Sequence, residues 1–379
     1  MSTTPIAVDS PIGNGLTGKI TAVQPTAILS EVISLYRPTK HFRREKTPGQ
    51  PTTIVSLSFD DEGGQLLTSE SDHTMQIYNV KDGKHHKPLL SHKYGVNHAM
   101  FGHATGCIIH ASTKLNHTIR YLSTHDNSYL RYFEGHEDTV TCLSLHPGQD
   151  NFLSCSEDNT LRIWDAATKN HCGKLLLNGA YLAAWDPSGN VFAVASPTAA
   201  SILLYDFRNY DKAPFSTFDI LPFANPETSN LASKGWSKIE FSNDGKHILL
   251  GSAGQSHFLL DAFDGHLKAA LRRERGSVRR LYGGDQNPEG VSSQSSDYLY
   301  PGTGDCCFTP DGRYVISGSR GQNALVWDTL APAPEQFLLP IHQLEYDGES
   351  AVIAFNPRYN FFATGDKDVV FWVPEQSFS

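Results

Sequence analysis

The chain has 379 residues, enough to bury a large core, and its length alone does not decide between one domain and two. Its 31 Gly and 21 Pro are spread along the sequence with 15 Tyr and 20 Phe, which favours many short strands joined by turns over long helices. A formal net charge of −9 excludes a protein whose whole body binds nucleic acid and leaves room only for a local basic patch.

Six cysteines are present, and none lies in the Cys-x-x-Cys pairs that zinc and redox sites use. The adjacent His85 and His86 have no third ligand in sequence reach, so we expect no metal and no cofactor. No signal peptide opens the chain, and no apolar run approaches the roughly 20 residues of a membrane span. These features predict a soluble intracellular protein with reduced thiols.

The N-terminal residues divide into two parts. Residues 1–28 are rich in Ser, Thr, Pro and Gly, and we predict a disordered extension there. Residues 32–42 carry strand-forming side chains and precede the first complete repeat of the chain. Deleting residues 31–45 should therefore impair folding, whereas deleting residues 1–28 should not.

A repeated unit fills the rest of the chain, and its middle copy is the clearest. From Gly135-His136 it runs through an alternating strand, a Pro147-Gly148 turn and a second strand to Trp164-Asp165. This is the Gly-His to Trp-Asp signature of one blade of a WD40 propeller. Corresponding third-strand ends recur at Tyr78-Asn79, Tyr121-Leu122, Trp164-Asp165, Tyr205-Asp206, Leu260-Asp261, Trp327-Asp328 and Trp372-Val373.

Seven such ends predict an all-β, seven-bladed WD40 β-propeller, which forms a single domain over residues 29–376. The last copy lacks a fourth strand after Trp372-Val373, because only a few residues follow. We predict that residues 32–42 supply this strand, so that the N-terminal strand closes the ring and no sheet edge is left exposed.

Four residues of the third blade are placed to form a hydrogen-bonded network between strands: His136, Ser154, Asp158 and Trp164, with Ser156 as an alternative to Ser154. A Ser, His and Asp set also occurs in hydrolases. These residues occupy packing positions of the repeat, however, and no nucleophile elbow accompanies them. We predict a structural network and no catalytic residues.

Two connections on the top rim, where the d-to-a and b-to-c loops lie, are long: residues 221–235 and 276–300. Long loops on one rim favour a binding face. An arginine cluster overlaps the second loop and consists of Arg272, Arg273, Arg275, Arg279 and Arg280. Such a cluster could bind a phosphorylated or acidic partner or an RNA backbone, or it could be a solvated strand end. Lys93 and Tyr94, in another d-to-a connection, are further candidate contacts.

Several stretches resemble one WD-repeat family, the Swd2-type subunits of the COMPASS histone methyltransferase complex and their animal relatives. They include the Lys93 to Val96 stretch, the run from His117 to Ser123, and the terminal Phe371 to Pro374. The resemblance extends over residues 32–375. The N-terminal extension and the 276–300 loop depart from the family pattern.

The resemblance implies a nuclear, non-enzymatic adaptor without direct DNA binding. Members of the family bind an N-terminal segment of the catalytic methyltransferase subunit, join other COMPASS subunits, and help couple methylation of histone three at lysine four to RNA polymerase II, through its phosphorylated tail. Fungal members are also linked to mRNA cleavage and polyadenylation, and animal relatives to a phosphatase complex. Membership of one of these assemblies is the alternative function. The resemblance further makes Lys93 and Tyr94 candidate contacts with a partner.

Overall fold

The structure is a computed structural model. It describes residues 7–8, 20–21, 28–43, 52–168, 171–179, 181–220, 235–253, 256–273, 305–318 and 323–375. Within these residues no helix is long and apolar enough to cross a membrane. Two-residue strands at Ala7–Val8 and Ile20–Thr21 pair with each other. The rest of the predicted extension lies outside the described residues, so its disorder stays a prediction.

Seven sheets of consecutive antiparallel strands follow one another around the molecule, each a blade with inner strand a and outer strand d. Blade 1 contains Ile54–Phe59, Gln65–Glu70, Thr74–Asn79 and Lys84–Leu90. Blade 2 contains Ala99–Phe101, Cys107–Ala111, Ile119–Ser123 and Ser128–Phe133. Blade 3 contains Val140–Leu145, Asn151–Ser156, Thr160–Asp165 and His171–Leu176.

The remaining blades repeat this order. Blade 4 contains Leu182–Trp185, Val191–Ser196, Ser201–Asp206 and Ser216–Asp219, with a short 3-10 turn at Phe207–Asn209. Blade 5 contains Trp236–Phe241, His247–Ser252, Ser256–Asp261 and Leu267–Arg272. Blade 6 contains Cys306–Phe308, Tyr314–Ser317, Asn323–Asp328 and His342–Glu345. The predicted all-β, seven-bladed fold is confirmed.

Blade 7 is completed by the N-terminal strand. Its own strands are Val352–Phe355, Phe362–Gly365 and Val369–Pro374. Strand Tyr36–Phe42 pairs antiparallel with the last of them, from Tyr36 opposite Pro374 to Phe42 opposite Val369. The predicted closure of the ring is therefore confirmed.

The closing strand is shorter than the sequence pattern predicts, because the chain is helical before Tyr36. An α-helical turn at Leu29–Val32 continues into a 3-10 turn at Ile33–Leu35. Leu29, Val32 and Ile33 follow helical spacing and are buried in one apolar cluster with Tyr36. Burial of these three side chains thus decides the local conformation against the strand propensity of Val32 and Ile33.

Blade 5 carries a fifth strand that sequence reasoning missed. Between the last two strands of blade 6, the chain passes through a 3-10 turn at Pro334–Gln336 and then forms strand Phe337–Leu338. This strand pairs parallel with Leu267–Arg272 of blade 5. A single pair of apolar residues gives no period-2 pattern, and only the neighbouring blade makes it a strand.

The core lies between the blades rather than inside one of them. Each apolar cluster joins side chains of neighbouring blades; in one of them, Leu67 and Ile77 of blade 1 meet Phe101 and Ile108 of blade 2. Strands buried on both faces need a neighbour on each side, so the ring must close to satisfy every blade. The blades are held rigidly as a result, and the loops on the two rims are displayed on a fixed frame.

Candidate partner-binding rim

The four network residues of blade 3 lie within hydrogen-bonding distance of one another. The His136 ring joins Asp158 Oδ2 through Nδ1 at 2.9 Å and Ser154 Oγ through Nε2 at 2.6 Å. Trp164 Nε1 donates to the same Ser154 oxygen at 2.8 Å. Ser156, the alternative, instead donates to the Asp138 carbonyl at 2.9 Å. The network ties the loop before blade 3 to its second and third strands.

The environment of this network suits structure rather than catalysis. Ser154 is fully buried, and its oxygen accepts a hydrogen bond from Trp164 Nε1 and is also bonded to His136 Nε2, so it has no free path to a substrate. Burial lowers the pKa of His136 and favours the neutral ring. Burial would raise the pKa of Asp158, but hydrogen bonds from Thr160, from the Glu137 N–H and with His136 outweigh it and lower the pKa to about 2.

Lys93 and Tyr94 lie on a rigid pair of loops between blades 1 and 2. We call residues 91–98 and 112–118 the double loop. The Tyr94 carbonyl accepts hydrogen bonds from the N–H groups of Thr113 and Lys114, at 3.1 and 2.7 Å, which joins the two loops. Gly95 allows this close approach: its φ is +73°, and a Cβ there would lie 2.1 Å from Thr113 Oγ1.

Aromatic and cationic groups are stacked behind the double loop. The Arg120 guanidinium lies 3.9 Å from the centre of the Tyr94 ring, and Lys93 Nζ lies 5.0 Å from the same ring. The Tyr94 ring also meets Tyr129 edge to face at 5.7 Å. Tyr132 lies opposite Arg120 on the outer strand, 5.7 Å from its guanidinium. Tyr94 is therefore fixed in orientation by neighbours on several sides.

What this rim presents to solvent is cationic and apolar. Lys93 and Lys114 are exposed, and so are Leu115, at 76%, and Tyr132, at 45%. Leu115 has a φ of +60°, an uncommon backbone conformation for a side chain other than Gly. The structure thus brings Lys93 and Tyr94 together with residues that the sequence pattern did not single out.

The arginine cluster is only partly described. Arg272 stacks over the Phe337 ring of the added strand, 3.6 Å from its centre. Arg273 turns inward, donating to the Ser252 carbonyl and lying 3.2 Å from His257 Nε2 through its own Nε. Both guanidinium groups are engaged within the protein. Arg275, Arg279 and Arg280 and the loops at 221–234 and 276–300 lie outside the described residues, so the long loops and a phosphate site at this cluster stay predictions.

A charged group in the central channel was missed by sequence reasoning. Lys238 Nζ lies 3.2 Å from Glu240 Oε2 and 4.0 Å from Asp305 Oδ1, beside a cavity of about 430 Å³. Asp305 Oδ2 accepts from the Ile353 N–H at 3.1 Å, which links three blades. Burial raises the pKa of both carboxyls, and Lys238 opposes that rise. The alternation of Lys238 and Glu240 about the buried Ile239 was the available signal.

The fold and the network of blade 3 define a WD-repeat β-propeller. The family model "WD domain, G-beta repeat" matches residues 127–165 and 302–328, which include the two Trp-Asp dipeptides. These are the two copies that keep the full Trp-Asp dipeptide, and the other blades are more divergent.

Comparison over the whole chain gives a narrower family. The chain is 33% identical to WD repeat-containing protein 82 of Drosophila melanogaster, over 92% of the chain and 97% of that relative. It is 33% identical to the COMPASS component SWD2 of Saccharomyces cerevisiae, over 90% and 96% of the two chains. The Set1 complex component swd2 of Schizosaccharomyces pombe is 32% identical, over 89% and 87%. The chain belongs to this family of WD-repeat proteins.

Proposed function

We propose that the chain is a non-catalytic scaffold subunit of a nuclear COMPASS-type complex, which methylates histone three at lysine four. The observation that carries the proposal is the extent of the similarity to the yeast COMPASS component SWD2, which includes 90% of this chain and 96% of the relative. Similarity of that length includes blades without a Trp-Asp dipeptide, so it is more specific than the repeat itself. The buried state of the Ser154 network supports a binding role over a catalytic one.

A segment of the methyltransferase subunit docks on the rim at Lys93 and Tyr94 in this proposal. Support comes from the rigidity of the double loop, which displays its side chains at little entropic cost to binding. The link to RNA polymerase II is a separate proposal for the arginine cluster. Because Arg273 is hydrogen-bonded inside the protein and Arg272 is exposed but stacked on Phe337, a phosphorylated tail would be bound by Arg275, Arg279 and Arg280 together with the exposed Arg272.

The test is affinity purification of the tagged chain from its own cells, followed by mass spectrometry, with microscopy of the tagged chain for its location. We expect methyltransferase and other COMPASS subunits, and a nuclear signal. Recovery of polyadenylation factors or phosphatase subunits without any methyltransferase subunit would refute the proposal and support the alternative.

The Tyr94→Ala variant tests the docking rim in the same experiment. Loss of the ring removes the stack on Arg120, so we expect the methyltransferase subunit to be depleted from the purified material. Ser188→Ala, at an exposed turn on the opposite rim, is the control. Full recovery of partners by a folded Tyr94→Ala protein would remove this residue from the docking surface.

A further inference from the structure

One part of the chain has a charge opposite to that of the whole. Residues 83–125 contain no Asp or Glu, although the chain has 40 of these residues. The stretch carries five cations, and we call it the carboxylate-free sector. Its cations are Lys84, Lys87, Lys93, Lys114 and Arg120. Its local charge is therefore opposite in sign to the net charge of −9 of the chain.

The sector is also one continuous region of the fold. It contains the outer strand of blade 1, Lys84–Leu90, the first three strands of blade 2, and the double loop between them. Arg120 is buried, and the exposed Glu134 at the edge of the sector attracts it. Within the sector, the exposed cations of the top rim are Lys93 and Lys114. Leu115 and Tyr132 add exposed apolar surface beside them.

We propose that the rim of the carboxylate-free sector binds an extended protein segment rich in Asp and Glu, with apolar side chains between the carboxylates. The proposal rests on the scaffold function above and names the chemistry of one partner. Lysine ammonium groups pair with carboxylates as point charges, and Leu115 and Tyr132 supply contacts for the apolar side chains.

Phosphorylated ligands fit this rim less well than carboxylates do. Phosphate is recognised best by free, bidentate arginine forks. Arg120 is 2% exposed, and its terminal nitrogens are committed to Ser112 Oγ, the Thr118 carbonyl at 3.3 Å and Asn116 Oδ1 at 3.2 Å. The described rim of the sector therefore offers lysines without a free arginine fork.

Single-stranded RNA is disfavoured by the aromatic groups. RNA of this kind binds through bases stacked on exposed aromatic faces in a basic groove. The Tyr94 ring has Arg120 at 3.9 Å and Lys93 at 5.0 Å from its centre, and Tyr129 against its edge. Among these rings only Tyr132 is exposed, at 45%, and one ring is too few for a run of stacked bases. The rim therefore offers exposed cations but not the aromatic faces that RNA bases need, and this combination favours an acidic protein segment.

Fluorescence anisotropy of the purified chain tests this proposal. The probe is a labelled twelve-residue peptide of four Asp-Glu-Leu repeats, compared with the same peptide carrying Asn and Gln in place of the acids. We expect the acidic peptide to bind and the amide peptide to bind at least tenfold more weakly. The Lys93→Gln/Lys114→Gln double variant should lose about tenfold in affinity for the acidic peptide. Affinity should also fall as salt increases.

The matched control is Lys174→Gln/Lys367→Gln, which removes two exposed lysines outside the sector. Equal affinities of the two double variants, or equal binding of the amide peptide, would overturn the proposal. Tighter binding of a twelve-residue oligouridylate, or of the same peptide with phosphoserine at each acid, would assign the rim to phosphate and overturn it as well. The scaffold function is judged separately by co-purification from cells, so either can fail without the other.

Discussion

We predict that closure of the propeller depends on Tyr36, and the burial of this residue gives the expected size of the effect. Tyr36 is fully buried in the cluster that joins blades 6 and 7, and its ring lies 5.1 Å from that of Phe362. No described residue bonds its hydroxyl, which is also buried. Tyr36→Ala leaves a cavity of aromatic size, so the free energy of unfolding should fall by about 3–5 kcal/mol. Tyr36→Phe removes only the unsatisfied hydroxyl, so stability should stay equal or rise by about 1 kcal/mol.

Urea unfolding followed by tryptophan fluorescence measures both variants. Ser34→Ala is the control, because Ser34 is exposed, and Arg37 bonds its backbone carbonyl rather than its hydroxyl. A loss of more than about 1 kcal/mol in Tyr36→Phe would show that the hydroxyl is engaged. A loss below about 1 kcal/mol in Tyr36→Ala would show that the closing strand does not unfold with the ring, which would refute the reasoning.

Two further predictions concern the network and the double loop. The pKa of Asp158 is about 2 in the folded chain, below its ordinary value of about 3.9, so its stabilising effect is present above about pH 4 and is lost as the pH falls towards 2. Asp158→Asn should therefore narrow the difference in unfolding free energy between pH 6 and pH 3, measured in urea. An unchanged difference would contradict the low pKa of Asp158 in the folded chain. Gly95→Ala should cost about 1–3 kcal/mol, because its Cβ would meet Thr113 at a φ of +73°. Gly148→Ala has no atom within 4 Å of its new Cβ and should change thermal stability little. Equal effects of the two substitutions would show that the close approach to Thr113 does not require glycine at position 95.

The repeat was readable from sequence because each blade repeats the same local pattern. Trp164-Asp165 ends the third strand of blade 3, and Tyr205-Asp206 and Trp327-Asp328 end those of blades 4 and 6, as predicted. Alternation of side chains on a strand has a period of two, so strand ends and faces follow from short windows of sequence. The pairing of the closing strand was predicted from the number of strands, since the sequence pattern leaves the seventh blade one strand short.

Only part of the candidate rim could be predicted from the sequence. Lys93 and Tyr94 were singled out by their loop and by the family resemblance, but Arg120 is 26 positions from Tyr94, and no local pattern predicts that they stack. Lys238 and Asp305 meet in the channel across an even longer separation. Arg272 and Arg273 were predicted only as members of the arginine cluster, and the sequence did not indicate that they contact Phe337 and His257.

Sequence by itself determined the strand pattern, the number of blades, the need for an N-terminal closing strand and the absence of carboxylates from residues 83–125. Each of these depends on spacing or composition along the chain. The tertiary structure alone decided the helical turns at Leu29–Leu35, the fifth strand at Phe337–Leu338, and which cations are exposed and which are engaged. These depend on packing between blades, where burial of side chains outweighs local propensity and where residues far apart in sequence become neighbours.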